Sequence, residues 1–570
     1  MEDQKMENLL NLSVDATPEE REKSLDLETG YDPQEETWEV IVRYSGSLEE
    51  VFALGIRGEE LLGGYGILWV PQSLLPVVSN FPQIEYMEKP KRLFFAVNQA
   101  KAASCFSGVQ EGGLGLSGEG VLVGILDSGI DYFHRDFRNE DGSTRILFLW
   151  DQVLEQVYDE AQINEALNAP ARGEGQAIVP SVDVSGHGTA VAGIAAGNGR
   201  ESGGLYRGAA YGSSLIVVKL GTAQAEGFPR TTQLMRALDF VLKKAVELGR
   251  PIAVNISIGN TYGSHDGTSL LETFMDEAAG FGRNVIVVGS GNEGGSAGHA
   301  SGVLSEGRNA EILVSVAPYE TSLSIQLWKA YADQFRVTLV APSGEQLGPF
   351  SETLGPQRYN YRSAQGETRI LVYYGKPSPY SQFQEIYMDF IPEQTYIGSG
   401  IWRILLEPVK ILSGQYDLWL PSHNLLNPST RFFGAAPDTT LTIPSTAGKA
   451  ITVGAYDPSY QSYAQFSGRG YTRLNQVKPD LAAPGTNITA PAAGGGYERV
   501  TGTSFAAPFV TGAAALMMEW GIVKGNDPFL YGEKVKAYLQ RGARQLPGFE
   551  TWPNPQLGYG VVCVEDSLPV

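Results

Sequence analysis

Three side chains far apart in this chain have the types that nucleophilic acyl transfer needs: Asp127, His187 and Ser504. Ser504 stands in Gly502-Thr503-Ser504-Phe505-Ala506-Ala507-Pro508, a small-residue turn that runs into the apolar stretch 509–516. A serine opening a buried helix faces backbone N–H groups with no intrahelical acceptor, a setting that can stabilise an oxyanion. Taken alone, the same pattern reads as a helix N-cap. Asp127 ends the apolar run 121–126, in Asp127-Ser128-Gly129-Ile130-Asp131. His187 lies in Ser185-Gly186-His187-Gly188-Thr189, just ahead of a run of small residues. Each has an ordinary reading by itself: an Asp after a strand is a turn residue, and a His among glycines faces solvent. Together, in the order Asp, His, Ser and with these flanks, they read as one constellation rather than three structural residues.

Such a set works only if rigid elements bring it together. The run 121–126 is continuously apolar, the signature of a buried parallel strand, and 214–220, 251–258 and 284–288 read as further strands. Helical patterns at 189–196, 232–248 and 269–281 alternate with them. The fold class is therefore α/β, a doubly wound parallel sheet, which gathers functional groups at the carboxyl ends of its strands. Ahead of it, 37–88 reads strand, helix, strand, helix, strand, a small α+β domain, and 89–99 reads as an extended tail. Residues 1–36 are acidic and polar and read as flexible, with a helix start at Thr17. From 310 to 433 only short alternating strands separated by turn signals appear, the pattern of an all-β sandwich or jelly roll inserted into the α/β domain. The expected domains are 1–99, 100–305, 306–436 and 437–570.

Composition narrows the function classes. Hydrophobic residues make up 42% and charged residues 19% of the 570, an ordinary globular balance. The formal net charge of −22 argues against nucleic-acid binding, which needs a basic footprint. Cys105 and Cys563 are too few for a disulfide framework or a zinc site and read as two free thiols. His134, His265, His299 and His423 show no ligand spacing and read as structural. No secretory signal and no apolar stretch of about 18 residues is visible, so the expectation is a protein that stays inside the cell that makes it, unless released by lysis or packaged, with no membrane span.

The three motifs resemble those of the subtilisin-like serine proteases, most specifically over some fifteen residues around Ser504. The resemblance implies Ser504 as nucleophile, His187 as general base and then acid, and Asp127 as its orienting carboxylate. It also implies Asn292, in Val287-Val288-Gly289-Ser290-Gly291-Asn292-Glu293-Gly294, as side-chain donor of an oxyanion hole completed by the Ser504 N–H. Ser257-Ile258-Gly259 is similar to the edge strand on which the family's peptide substrates lie, which makes Ser257 and Gly259 substrate-binding residues. The N-terminal α+β domain stands where the family carries a propeptide, and Gln99-Ala100 is the expected cleavage junction. No cofactor is implied. Subtilases often bind calcium, but no ligands can be named here. The layout, with a small propeptide and a jelly-roll-like insertion, is similar to the Csp germination proteases of clostridial spores. That resemblance implies autoprocessing, a propeptide retained as inhibitor, and cleavage of a cortex-lytic zymogen. Some members of that group have lost triad residues, so a catalytically silent binding protein is the alternative, with a general degradative subtilase as another.

Overall fold

The computed structural model describes residues 4–24, 26–92, 94–95, 104–110, 114–221, 229–353, 355–363 and 366–569. The chain divides into two compact units: Met1–Arg92 with Asn260–Leu270 and Gly295–Thr440, and Leu93–Gly259 with Leu271–Gly294 and Leu441–Val570.

The second unit carries the α/β sheet. Its strands lie in the order Ser462–Tyr463, Ile451–Asp457, Asn284–Gly289, Ile252–Ile256, Leu122–Asp127, Ser214–Lys219, Ile146–Asp151, Gln156–Asp159, with Leu481–Pro484 also on Ile451–Asp457. The inner pairings are parallel, and antiparallel strands close both ends. Leu122–Asp127 is buried along its whole length, as its unbroken apolar run requires. Beyond Ser214–Lys219 the sheet continues through the largely apolar Ile146–Asp151 to the mixed-polarity edge strand Gln156–Asp159.

The helix Thr503–Met518 crosses this unit's core and buries every residue except Phe509. With the π-helical turn that follows, 503–523 is long and apolar enough to cross a bilayer by length and composition. Yet 78% of its apolar window is buried inside the protein, as befits a central core helix. Cys105 and Cys563 form a disulfide across 458 residues, with Cα atoms 4.9 Å apart. This corrects the expectation of free thiols. Sequence separation does not limit spatial approach, and the fold returns the C-terminal segment to the start of the α/β domain.

In the first unit, Thr37–Tyr44 lies between Tyr65–Pro71 and Ile84–Glu88 in an antiparallel sheet, over a core that includes Trp38, Val42, Leu68 and Val78. The segment 295–440 forms two antiparallel sheets of six and five strands, facing each other across a core with Trp402, Phe390 and Leu339. The acidic N-terminus is not flexible over its described part. Helix Asn8–Asp15 and helix Pro18–Glu22, the latter opened by a Thr17–Glu20 capping box, fold it down. Leu10 enters the α+β core, while Leu9 and Leu12, with Leu27, pack on Leu371, Tyr373 and Tyr387 of the sandwich. A short leucine stripe outweighs the acidic composition because it buries on two sides at once. The same cover explains why Phe383–Pro392 is buried on both faces rather than alternating.

Candidate active site

The central strand Leu122–Asp127 ends on Asp127, whose side chain is buried. His187 is the first residue of helix His187–Ala196, and its Nδ1 lies 2.7 Å from Asp127 Oδ1. That spacing is a charge-assisted hydrogen bond with Nδ1–H donating, which leaves the lone pair on Nε2. The helix can start so close to the strand end only because Gly188 lacks a side chain: a Cβ there would sit 2.2 Å from the Gly129 carbonyl oxygen. The ring of Phe505, next to Ser504, lies 5.1 Å from the imidazole. Strand end, helix start and serine turn therefore meet at one place.

Ser504 opens the core helix. Its Oγ donates to the Ser257 carbonyl at 3.0 Å, and the Ser257 hydroxyl donates to the Ser504 carbonyl at 2.8 Å. The second bond depends on Pro508. Proline has no N–H, so the helical bond that Ser504's carbonyl would accept from position 508 is missing, and Ser257 fills the place. Behind it, Asn255 Nδ2 donates to Ser257 Oγ at 2.9 Å and Thr511 Oγ1 donates to Asn255 Oδ1 at 3.0 Å. A chain of buried hydrogen bonds thus ties the serine turn to strand Ile252–Ile256 and its continuation.

Asn292 lies against the same helix start. Its Oδ1 accepts from Thr503 N at 3.0 Å and from Thr503 Oγ1 at 3.1 Å. The amide nitrogen then faces Gly502, where a Cβ would stand 3.3 Å from Nδ2; Gly502 has φ +150°, where glycine is favoured. Held by its oxygen, Asn292 keeps an N–H beside the first-turn N–H groups of the helix, Ser504's among them. Such paired donors suit a developing oxyanion.

Gly259 and Ile258 form a short strand that is already paired. Phe94 and Phe95 run antiparallel to it, with Ile258 opposite Phe95 and Gly259 opposite Phe94. The chain's own segment occupies the edge expected to take substrate. Gln99 and Ala100, the expected junction, lie outside the described residues.

Sequence reading missed Asp183. Its carboxylate lies beneath the His187 turn and takes hydrogen bonds from Ser128, Gly186 and Thr189. Nothing in its spacing singles it out, since the N-cap of the His187 helix is Gly186 and Asp183 stands three residues earlier. Also missed was Glu498, whose carboxyl is lifted above its ordinary range by burial and by the Asp183 charge, with His187 pulling the other way. Among the described residues no group of three or more His, Cys, Asp or Glu side chains is placed to hold a metal ion. His134 bonds the Gly496 carbonyl, His265 the Thr261 carbonyl, and His299 stacks on Trp419.

Comparison with known proteins places the chain in a family. The subtilase family model matches residues 118–373 and 427–560, and the Csp protease B prodomain model matches 4–91. The solved structure of the Clostridium perfringens CspB protease is 38% identical, with a TM-score of 0.76, over 81% of this chain and 95% of that one. Minor extracellular protease Vpr of Bacillus subtilis is 24% identical over 80% of this chain and 52% of its own length. Serine protease AprX of Bacillus subtilis is 32% identical over 24% of this chain and 33% of its own. The chain thus spans about half of one of these curated relatives and a third of the other. The family models, which together cover most of the chain, show that this protein belongs to the subtilase family of serine proteases and carries a Csp protease B prodomain.

Proposed function

We propose that this chain is an active serine endopeptidase in which Ser504 is the nucleophile, His187 the proton carrier and Asp127 the residue that orients it. The observation that carries the reading is the buried 2.7 Å contact of His187 Nδ1 with Asp127 Oδ1, beside the helix that Ser504 opens. A peptide laid antiparallel on Ser257–Gly259 brings its carbonyl carbon to Ser504 Oγ. The Oγ–carbon bond forms as the Oγ proton passes to His187 Nε2. Asn292 Nδ2–H and the Ser504 N–H take the negative charge on oxygen. The carbon–nitrogen bond then breaks, the proton goes from His187 to the leaving amine, and water repeats the sequence on the acyl-enzyme.

The first substrate is the chain's own N-terminal segment. Phe94–Phe95 pairs antiparallel with the Ile258–Gly259 edge, which supports cleavage just beyond it and retention of the tail as a competitive inhibitor. Gln99-Ala100 stays the favoured junction. The two antiparallel sheets of the insert support its reading as a jelly roll. Resemblance to the Csp germination proteases supports a cortex-lytic zymogen as the later substrate and a place within the cell or spore. The occupied edge also favours a second reading, a silent scaffold whose cleft is permanently filled.

The test is the full chain beside its Ser504→Ala variant. A cut between Phe94 and Ser104 in the unsubstituted chain alone, located by N-terminal sequencing, supports the protease. An intact chain that also resists a fluorophosphonate selects the silent scaffold.

A further inference from the structure

Asp183 is folded against its neighbours' polarity. Val182 and Val184 on either side are 39% and 79% exposed, while Asp183 between them is 3% exposed. Burying a carboxylate under two solvent-facing valines costs stability that the reverse arrangement would save. The carboxylate must therefore do something no apolar residue at 183 could do.

Its contacts show what that is. Oδ1 accepts from Ser128 Oγ at 2.8 Å and from Gly186 N at 3.0 Å, with Ser185 Oγ at 3.2 Å. Oδ2 accepts from Thr189 N at 2.8 Å and Thr189 Oγ1 at 2.7 Å. Ser128 is the residue after Asp127, and its own N–H donates to Asp127 Oδ1 at 2.7 Å. Gly186 and Thr189 flank His187. One carboxylate therefore grips the residue next to the acid and both sides of the base. It also completes the first turn of the histidine helix. His187 N donates to Ser185 Oγ, Gly188 N to Ser128 Oγ, Thr189 N to Asp183 and Ala190 N to the Gly186 carbonyl.

Every clear partner is a donor. The Thr189 hydroxyl accepts from Asp131 N at 2.9 Å, so its proton is the one given to Asp183. An amide at 183 would turn one end into a donor facing donors. The fixed negative charge also favours the imidazolium that forms as Ser504 attacks.

Resting on the protease reading above, we propose that Asp183 is a positioning residue of the reaction. It clamps the Asp127 turn to the start of the His187 helix and supports the charged imidazole, without touching substrate.

The experiment compares the full chain with Asp183→Asn and Ser128→Ala, using hydrolysis of a fluorogenic tetrapeptide anilide across pH and fluorophosphonate labelling. Asp183→Asn is expected to lower kcat by roughly 10- to 100-fold with KM within about threefold, the cost of a misplaced proton carrier. It should also move the acidic limb of kcat/KM down by roughly half a pH unit, because one supporting charge is gone. Ser128→Ala keeps the charge and loses one tie, so kcat should fall by about 3- to 10-fold with the limb unmoved. A merely structural role would lower the melting temperature in both without shifting the limb, and that overturns the proposal. Should Asp183→Asn fail to fold, wild-type kcat in Ser128→Ala overturns it. An unsubstituted chain that stays uncut and neither hydrolyses the anilide nor labels removes the protease reading itself.

Discussion

The first compact unit buries more acid than it neutralises, and its stability should therefore fall as pH rises toward neutrality. Glu385 and Asp389 on strand Phe383–Pro392 both face the N-terminal segment. Glu385 Oε2 accepts from Asn8 Nδ2 at 2.7 Å and from the Tyr262 hydroxyl at 3.2 Å; Asp389 accepts from the Ser24 hydroxyl. Nearby stand Asp26, bonded to Tyr387, and Glu7 and Glu88, both paired with Lys91. Lys89 donates to Ser13 Oγ and to the Asp26 and Leu27 carbonyls. Burial pushes the Glu385 carboxyl up from 4.5 to about 7, against the pull of Asn8, Tyr262 and Lys91. Burial lifts Asp389 from 3.8 to about 7 as well, and raises Asp26 and Glu7. A carboxyl of raised pKa binds more protons folded than unfolded. Its contribution is complete below about pH 4.5 and is lost as pH climbs through about 7. For Glu385 the cost of ionising in place is on the order of 3 kcal/mol at pH 7.5. Lys89, which burial lowers to about 7, acts with the opposite sign from there upward, so the comparison belongs at pH 5 against pH 7.5. Glu385→Gln keeps an acceptor for Asn8 and Tyr262 but cannot ionise. In a Ser504→Ala background, calorimetry should show no change at pH 5 and a melting temperature higher by roughly 5–10 °C at pH 7.5. Hydrogen exchange of amides 8–15 and 383–392 should slow in step. A variant that tracks the unsubstituted chain equally at both pH values would refute the reasoning.

Asn292→Ala should lower kcat of peptide hydrolysis by roughly 10²- to 10³-fold with KM little changed; a loss under fivefold removes Asn292 from the oxyanion site. Cys105→Ser should cost about 2–4 kcal/mol in urea unfolding of the Ser504→Ala chain, because the disulfide closes a very long loop. Thiol titration of the denatured, unreduced chain should find none, and two thiols would remove the bond.

What could be read from the sequence depended on whether the information was local. The strand before Asp127 and the core helix after Ser504 are continuous apolar runs, so their burial was visible in composition alone. The sandwich strands alternate and are punctuated by turn residues, which made 310–433 readable as all-β. Site chemistry was legible only through motif resemblance, since no periodicity in the chain says that Asp127 and His187 meet. The failures are all long-range. Residues 1–36 read as flexible from composition, because the two surfaces that bury Leu9, Leu10 and Leu12 lie far along the chain. The disulfide joins residues 458 apart, and counting could exclude a framework but not a single bridge. Pro508, inside the core helix, frees the Ser504 carbonyl for the Ser257 hydroxyl and so ties the serine turn to the continuation of strand Ile252–Ile256. Nothing local marks Asp183 for the same reason: its partner Ser128 stands 55 positions upstream. A carboxylate buried between exposed valines breaks the local rule of polarity, and such a break is where a functional constraint outweighs local preference.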